Sequence, residues 1–296
     1  MSRRPARQQV LAVLAVLVCT GAAAQPALPA PPAPSAIEDV PFITTPDHVT
    51  VAMLELAGVG PRDHVIDLGS GDGRIVIAAA RRFGASGLGV EIVPELVAQS
   101  RDSARRAGVE GRTRFEVQDL FATDLAPASV ITMYLLPEVN LALRPRLLAL
   151  APGTRIVSHD WDLGDWAPDR TLTLAVPQKT IGREKLSRLH LWTVPARVAG
   201  LWCAAGGTTL ELEQRFQTVQ ATLRSVDDLR SYSGRVDGRS LRLLGGGGSA
   251  WSLRAEADGL RAVHAGPGSA GSAGSASSPA VPAGTVWRRA TGTACS

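Results

Sequence analysis

The string Asp67-Leu68-Gly69-Ser70-Gly71-Asp72-Gly73 constrains this 296-residue chain more than any other feature in it. It continues the short apolar run that begins His64-Val65-Ile66, which reads as a buried strand, and it leads into a helix over Arg74 to Phe83. Strand, glycine-rich turn and helix in that order put backbone against any ligand with no side chain in the way. The free N–H groups of the helix start face the same turn, an arrangement often used for phosphate. Here Asp67 and Asp72 crowd the turn with negative charge. That is wrong for a diphosphate and right for a ligand with a cationic end.

Two further acids extend the site. Glu91 lies eighteen residues past Gly73, at the end of a second strand, where an acid chelates ribose hydroxyls in Rossmann-type sites. Asp119 follows a third strand beside Leu120 and Phe121. An acid flanked by apolar side chains suits the amino edge and the faces of an adenine ring. An adenosine carrying a positively charged amino-acid tail fits all of these, and S-adenosylmethionine is such a molecule. NAD is the near competitor, but Asp72 is poorly placed beside a pyrophosphate.

The surrounding pattern alternates strands and helices, which implies a doubly wound parallel sheet with right-handed crossovers. Thr45-Pro46-Asp47 reads as a helix start with a hydroxyl cap, and Gly58 as its end. Strands are expected at 64–69, 87–92, 114–117, 130–136 and 154–159, with helices opening at Pro94-Glu95 and spanning 138–150. Residues 172–176 and 189–194 read as two closing strands, seven in all.

Residues 40–195 resemble the class I S-adenosylmethionine-dependent methyltransferases. The loop Asp67 to Gly73 looks like that family's first motif, Glu91 like its ribose acid and Asp119 like its adenine-side acid. A narrower likeness rests on Pro41-Phe42-Ile43-Thr44-Thr45-Pro46, on the string Asp67 to Arg74, and on Tyr134-Leu135-Leu136-Pro137. These look like a group of protein-lysine methyltransferases that modify mitochondrial carrier and ATP-synthase subunits. The resemblance implies a Rossmann-like seven-stranded sheet and S-adenosylmethionine as cofactor. Asp67, Gly69, Ser70, Gly71, Asp72, Gly73, Glu91, Asp119 and Leu120 would contact the cofactor. It also implies a protein substrate with an accessible lysine.

Methyl transfer from a sulfonium is an in-line displacement, so an enzyme mainly aligns and desolvates the nucleophile. Ligands bind beyond the carboxyl ends of parallel strands, which puts Tyr134, Pro137, Glu138 and Asn140, and then His159, Asp160 and Trp161, on the acceptor side. Tyr134 and Glu138 are the first choices for positioning the acceptor, although Glu138 also reads as an ordinary first-turn helix acid. No obligatory base stands out. The five histidines are scattered and no Cys/His spacing occurs, so no metal is expected. The absence of Gly-x-Ser-x-Gly argues against an α/β-hydrolase.

The chain ends carry different signals. Arg3, Arg4 and Arg7 precede a 15-residue apolar run, Val10 to Ala24, which closes on Ala22-Ala23-Ala24. This matches a cleaved secretory signal peptide, residues 1–24, and is short for a membrane span. Export to the periplasm is the expectation; an uncleaved segment would instead anchor the protein at the membrane, facing the periplasm. Those three arginines account for most of the net charge of +4, so the basic pI of about 9.4 loses its force and no nucleic-acid partner is expected. Residues 25–36 form a Pro/Ala tether. S-adenosylmethionine is made in the cytosol, so the export signal and the cofactor pull in opposite directions.

From 196 to 296 the pattern becomes period-two, as in Thr209 to Phe216, with Gly238 and Gly259 placed for hairpin turns. A small antiparallel β domain is expected, a half-barrel or sandwich, with Trp202, Trp251 and Trp287 filling its core and a Gly/Ser/Ala-rich loop at 265–284. Cys203 and Cys295 bracket it and would pair in an oxidising compartment. Three readings of function stay open: a methyltransferase acting on a protein amine, one acting on a small molecule or lipid, and an exported module that binds without turnover.

Overall fold

The computed structural model describes residues 44–179, 184–226, 228–246, 250–265, 281–292 and 294–295. The expected signal peptide and tether, Pro41 to Ile43, and residues 266–280 of the Gly/Ser/Ala-rich loop lie outside the described residues.

The first half is a seven-stranded sheet. In chain order it comprises α1 (Asp47–Leu56), β1 (His64–Leu68), α2 (Arg74–Phe83), β2 (Ser86–Glu91), α3 (Pro94–Arg106), β3 (Thr113–Val117), β4 (Val130–Met133), α4 (Pro137–Leu147), β5 (Arg155–His159), β6 (Arg170–Ala175) and β7 (Leu186–Thr193). The strand order is β3-β2-β1-β4-β5-β7-β6, parallel except for β7, which runs antiparallel to β5 and β6. Val65, Ile66 and Leu68 of β1 and all of β4 are buried, as central strands covered on both faces must be. The carboxyl ends of β1, β2, β4 and β5 therefore share one edge.

Two local expectations change. Thr45 does not cap α1: Pro46 occupies the cap position without a side-chain bond, and the Thr45 hydroxyl instead meets His159 Nδ1 at 3.4 Å. The fourth strand stops at Met133 rather than Leu136. Its partner β1 ends at Leu68, opposite Met133, where the glycine turn begins. Pro137 then holds Leu136 extended and opens α4. Tyr134, Leu135 and Leu136 are thereby released over the carboxyl edge.

The second half closes on itself. β8 (Gly200–Cys203), β9 (Thr209–Arg215), β10 (Thr218–Arg224), β11 (Leu229–Asp237), β12 (Ser240–Gly245), β13 (Ala250–Ala255), β14 (Leu260–Ala265) and β15 (Val286–Arg289) form an eight-stranded antiparallel barrel. This is neither the half-barrel nor the sandwich expected. Four-residue β15 makes the difference, pairing with β14 at Leu260–Trp287 and with β8 at Arg289–Trp202. Eight strands leave an interior just wide enough for side chains. Trp202, Tyr232, Trp251 and Trp287 fill it together with Leu210, Leu241 and Leu253. Cys203 and Cys295 are joined by a disulfide.

Barrel and sheet are joined through the segment before β6. Gln217 Nε2 donates to Ala167 O at 2.8 Å and to Asp169 Oδ1 at 3.0 Å, Arg235 pairs with Asp169, and Phe216 stacks on Trp166. Among the described residues no helix is long and apolar enough to cross a membrane.

Candidate active site

The glycine turn is tied to β2. Gly69 N and Ser70 N both donate to Val90 O, at 3.0 and 2.9 Å. Gly69, Gly71 and Gly73 have φ of +72°, +53° and +78°. A Cβ on Gly69 would lie 2.9 Å from Leu135 Cδ2, and one on Gly73 would lie 2.6 Å from Phe115 Cε1. Sterics and dihedrals thus both require glycine.

The acids named from the sequence are in three different states. Asp67 is 2% exposed and accepts a 2.7 Å bond from the Thr132 hydroxyl. Burial pushes its carboxyl up to about 7 against that bond, and the Asp72 and Glu91 carboxylates push the same way. Glu91 clamps the turn: Oε2 accepts Gly71 N at 3.0 Å, and Oε1 accepts Ile92 N and Val93 N at 2.8 and 3.1 Å. Asp72 adds less free charge to the turn than expected, because Arg74 holds it in a 2.6 Å ion pair. Asp119 is exposed, with Oδ1 accepting Phe121 N at 2.8 Å. Gln118 N donates to Glu91 O at 3.0 Å, so Asp119 and half-buried Leu120 follow directly from the contact with β2. The Ser70 hydroxyl is buried without a partner.

A second cluster lies over β4 and β5. The His159 ring stacks on Tyr134 with centroids 4.0 Å apart, and its Nε2 meets Ser187 Oγ at 2.7 Å. Burial drives His159 down to about 4, with Asp160 opposing the shift, so the ring is neutral at physiological pH. Burial and then the Asp160 charge raise Tyr134 to about 12, so its hydroxyl remains a donor, reaching Asp160 Oδ2 at 3.3 Å. Burial alone would raise Asp160. Bonds from Lys179 and Arg188 N, with His159 nearby, outweigh it and hold the carboxyl below its ordinary range.

Glu138 does not join this cluster. It is exposed in the first turn of α4. Buried Asn140 does more there, its Nδ2 bridging Ser158 Oγ, Trp161 O and Asp162 O at 3.1, 3.2 and 3.3 Å. Thr45, read from the sequence as a helix cap, and Lys179 and Ser187 were not identified from it as site residues. Each comes from a distant segment, and no spacing rule connects them. The two clusters touch: Arg74 donates to Thr45 O at 2.8 Å, and Thr45 meets His159.

The model of the ANTKMT methyltransferase domain matches residues 67–170. A protein-lysine N-methyltransferase of Saccharolobus islandicus is 41% identical over 140 residues, covering 47% of this chain and 87% of that relative. The chain belongs to this methyltransferase family. The mouse adenine nucleotide translocase lysine N-methyltransferase is 37% identical over 105 residues, 35% of this chain and 46% of that protein. The chain thus spans about half the length of the mammalian relatives it matches. A crystal structure described as an RNA methyltransferase from Salinibacter ruber with S-adenosyl-L-homocysteine is 48% identical, covering 53% of this chain and 96% of that one, with a TM-score of 0.48.

The residues of the turn fit an S-adenosylmethionine molecule. Gly69 is exposed at the turn, Ser70 holds an orphaned hydroxyl, and Asp67 sets a carboxyl at the turn's base. Each Glu91 oxygen has capacity beyond its backbone bonds. Ile92, 70% exposed beside Glu91, offers an apolar face.

Proposed function

We propose that this methyltransferase binds S-adenosylmethionine across the carboxyl ends of β1, β2 and β3 and methylates the side-chain amine of a lysine in a protein. The match over 87% of a protein-lysine N-methyltransferase carries the reading. The bound cofactor supplies a sulfonium methyl. Asp67, Gly69, Ser70, Gly71 and Gly73 hold the amino-acid end, with Asp72 acting through Arg74 to fix the turn. Glu91 takes the ribose, and Asp119 and Leu120 take the adenine. Tyr134, with neutral His159 behind it and Asp160 beside it, positions the acceptor amine and keeps water from it. Glu138 sits at the rim.

Residues 37–195 are assigned as the catalytic domain and 196–296 as the β domain. Export of the mature chain fits the Cys203–Cys295 disulfide, since such bonds persist in oxidising compartments. That bond also favours a second reading, an exported module that binds the cofactor without turnover. Calorimetric titration with S-adenosylmethionine, then transfer of labelled methyl to protein, distinguishes them. No binding by folded protein refutes both; binding with label recovered in lysine supports the first; binding without transfer to any acceptor supports the second. N-terminal sequencing of the mature protein checks the cleavage, and an intact N-terminus in the cytoplasm overturns export.

A further inference from the structure

The chain has 29 arginines and only two lysines, Lys179 and Lys185. One of the two is held inside the cluster where an acceptor lysine is expected. Lys179 follows β6, and its side chain is 14% exposed. Its ammonium donates to Asp160 Oδ2 at 2.5 Å and to Leu186 O at 2.6 Å. The same Oδ2 accepts the Tyr134 hydroxyl, while Oδ1 is fixed by Arg188 N at 3.0 Å. Asp160 has φ of +64°, in the left-handed region that aspartate tolerates better than most residues. A carboxylate, itself held by a phenol, and a carbonyl thus converge on one primary ammonium.

This cradle adjoins the glycine turn by two routes. Leu135, next to Tyr134, packs where a Gly69 Cβ would be, and Arg74 reaches His159 through Thr45. Leu136 and Trp161, close in sequence to Tyr134 and Asp160, are apolar and 37% and 43% exposed, suitable for an alkyl stem. A surface ion pair needs none of this.

The geometry points to Lys179 as a tethered pseudosubstrate, whose ammonium fills the subsite that the acceptor amine must enter. The subsite takes a primary ammonium on an unbranched alkyl stem. This inference rests on the lysine-acceptor reading above. A site free for only a fraction of the time binds its ligand more weakly by that fraction. If Lys179 fills the cradle about nine-tenths of the time, the apparent KM for an acceptor amine rises about tenfold.

The test uses the full chain with labelled S-adenosylmethionine and poly-L-lysine as acceptor. Lys179→Met should lower KM about tenfold with kcat within about twofold. Lys179→Gln, which keeps a donor for Asp160, guards against misfolding and should lower KM by less. With S-adenosylhomocysteine present, n-butylammonium should bind Lys179→Met, bind the wild type more weakly, and fail to bind Lys179→Met/Asp160→Asn. A purely structural lysine would lower stability and kcat and would not lower KM. Wild-type transfer with an unchanged KM in both variants overturns the pseudosubstrate and leaves the lysine reading standing. Cofactor binding with no transfer by wild type or variants overturns both.

Discussion

Replacing Asp67 with asparagine removes a buried negative charge while keeping the side chain's shape and its acceptor for the Thr132 hydroxyl. In the folded protein this carboxyl titrates near 7 instead of 3.8, because burial and the Asp72 and Glu91 carboxylates disfavour its charged form. The folded value lies above the unfolded one. The associated stability is therefore complete below pH 3.8 and is lost as pH rises through about 7. A shift of about three units corresponds to about 4 kcal/mol at full development. Asparagine titrates in neither state. The stability gained by Asp67→Asn should thus be near zero at about pH 4 and approach about 4 kcal/mol by pH 8, or roughly 10 °C in Tm. The effect on the cofactor has the opposite sign. Losing the carboxyl at the base of the turn should weaken S-adenosylmethionine binding at least about tenfold, the scale of one lost charge-assisted contact. Guanidinium unfolding of both proteins from about pH 4 to pH 8.5, with calorimetric titration, measures both. A stability difference that does not grow with pH, or a variant that binds the cofactor as well as wild type does, would refute the reasoning.

Gly73→Ala should be destabilised by at least about 2 kcal/mol and lose cofactor binding, since its Cβ would sit 2.6 Å from Phe115 at φ +78°; unchanged unfolding and affinity would contradict this. Tyr134→Phe should lower kcat by about one to two orders of magnitude by removing the hydroxyl on Asp160, whereas Glu138→Gln, at an exposed position outside that network, should change it less than about twofold; steady-state kinetics on a lysine acceptor separates the two. Breaking the Cys203–Cys295 bond, which spans 92 residues, should cost about 2–4 kcal/mol and lower the Tm under reductant, while leaving cofactor affinity unchanged, because the bond ties β8 to the tail of the barrel.

How far sequence reasoning reached follows from distance along the chain. Asp67 to Gly73 lies in one strand-turn-helix, so its spacing alone placed the turn, and Glu91 followed because β2 must lie beside β1. Trp202, Trp251 and Trp287 fell into the barrel core because period-two alternation assigns faces directly. What was not legible depends on register between remote strands. Asp160 meets Lys179 and Ser187 comes under His159 only because β7 runs antiparallel to β5 with His159 opposite Leu189. A one-residue slip would reverse those faces, and nothing local in either strand specifies the alignment. Thr45 shows the same limit from the other side: its local pattern fits a helix cap, yet the hydroxyl bonds a histidine 114 residues away. Closure of the barrel likewise turned on β15, four residues with almost no pattern of their own. The turn of the proposed cofactor site is thus written in contiguous residues. The proposed acceptor half is written in strand pairing, so substitutions that move β7 against β5 should alter acceptor binding before they alter cofactor binding.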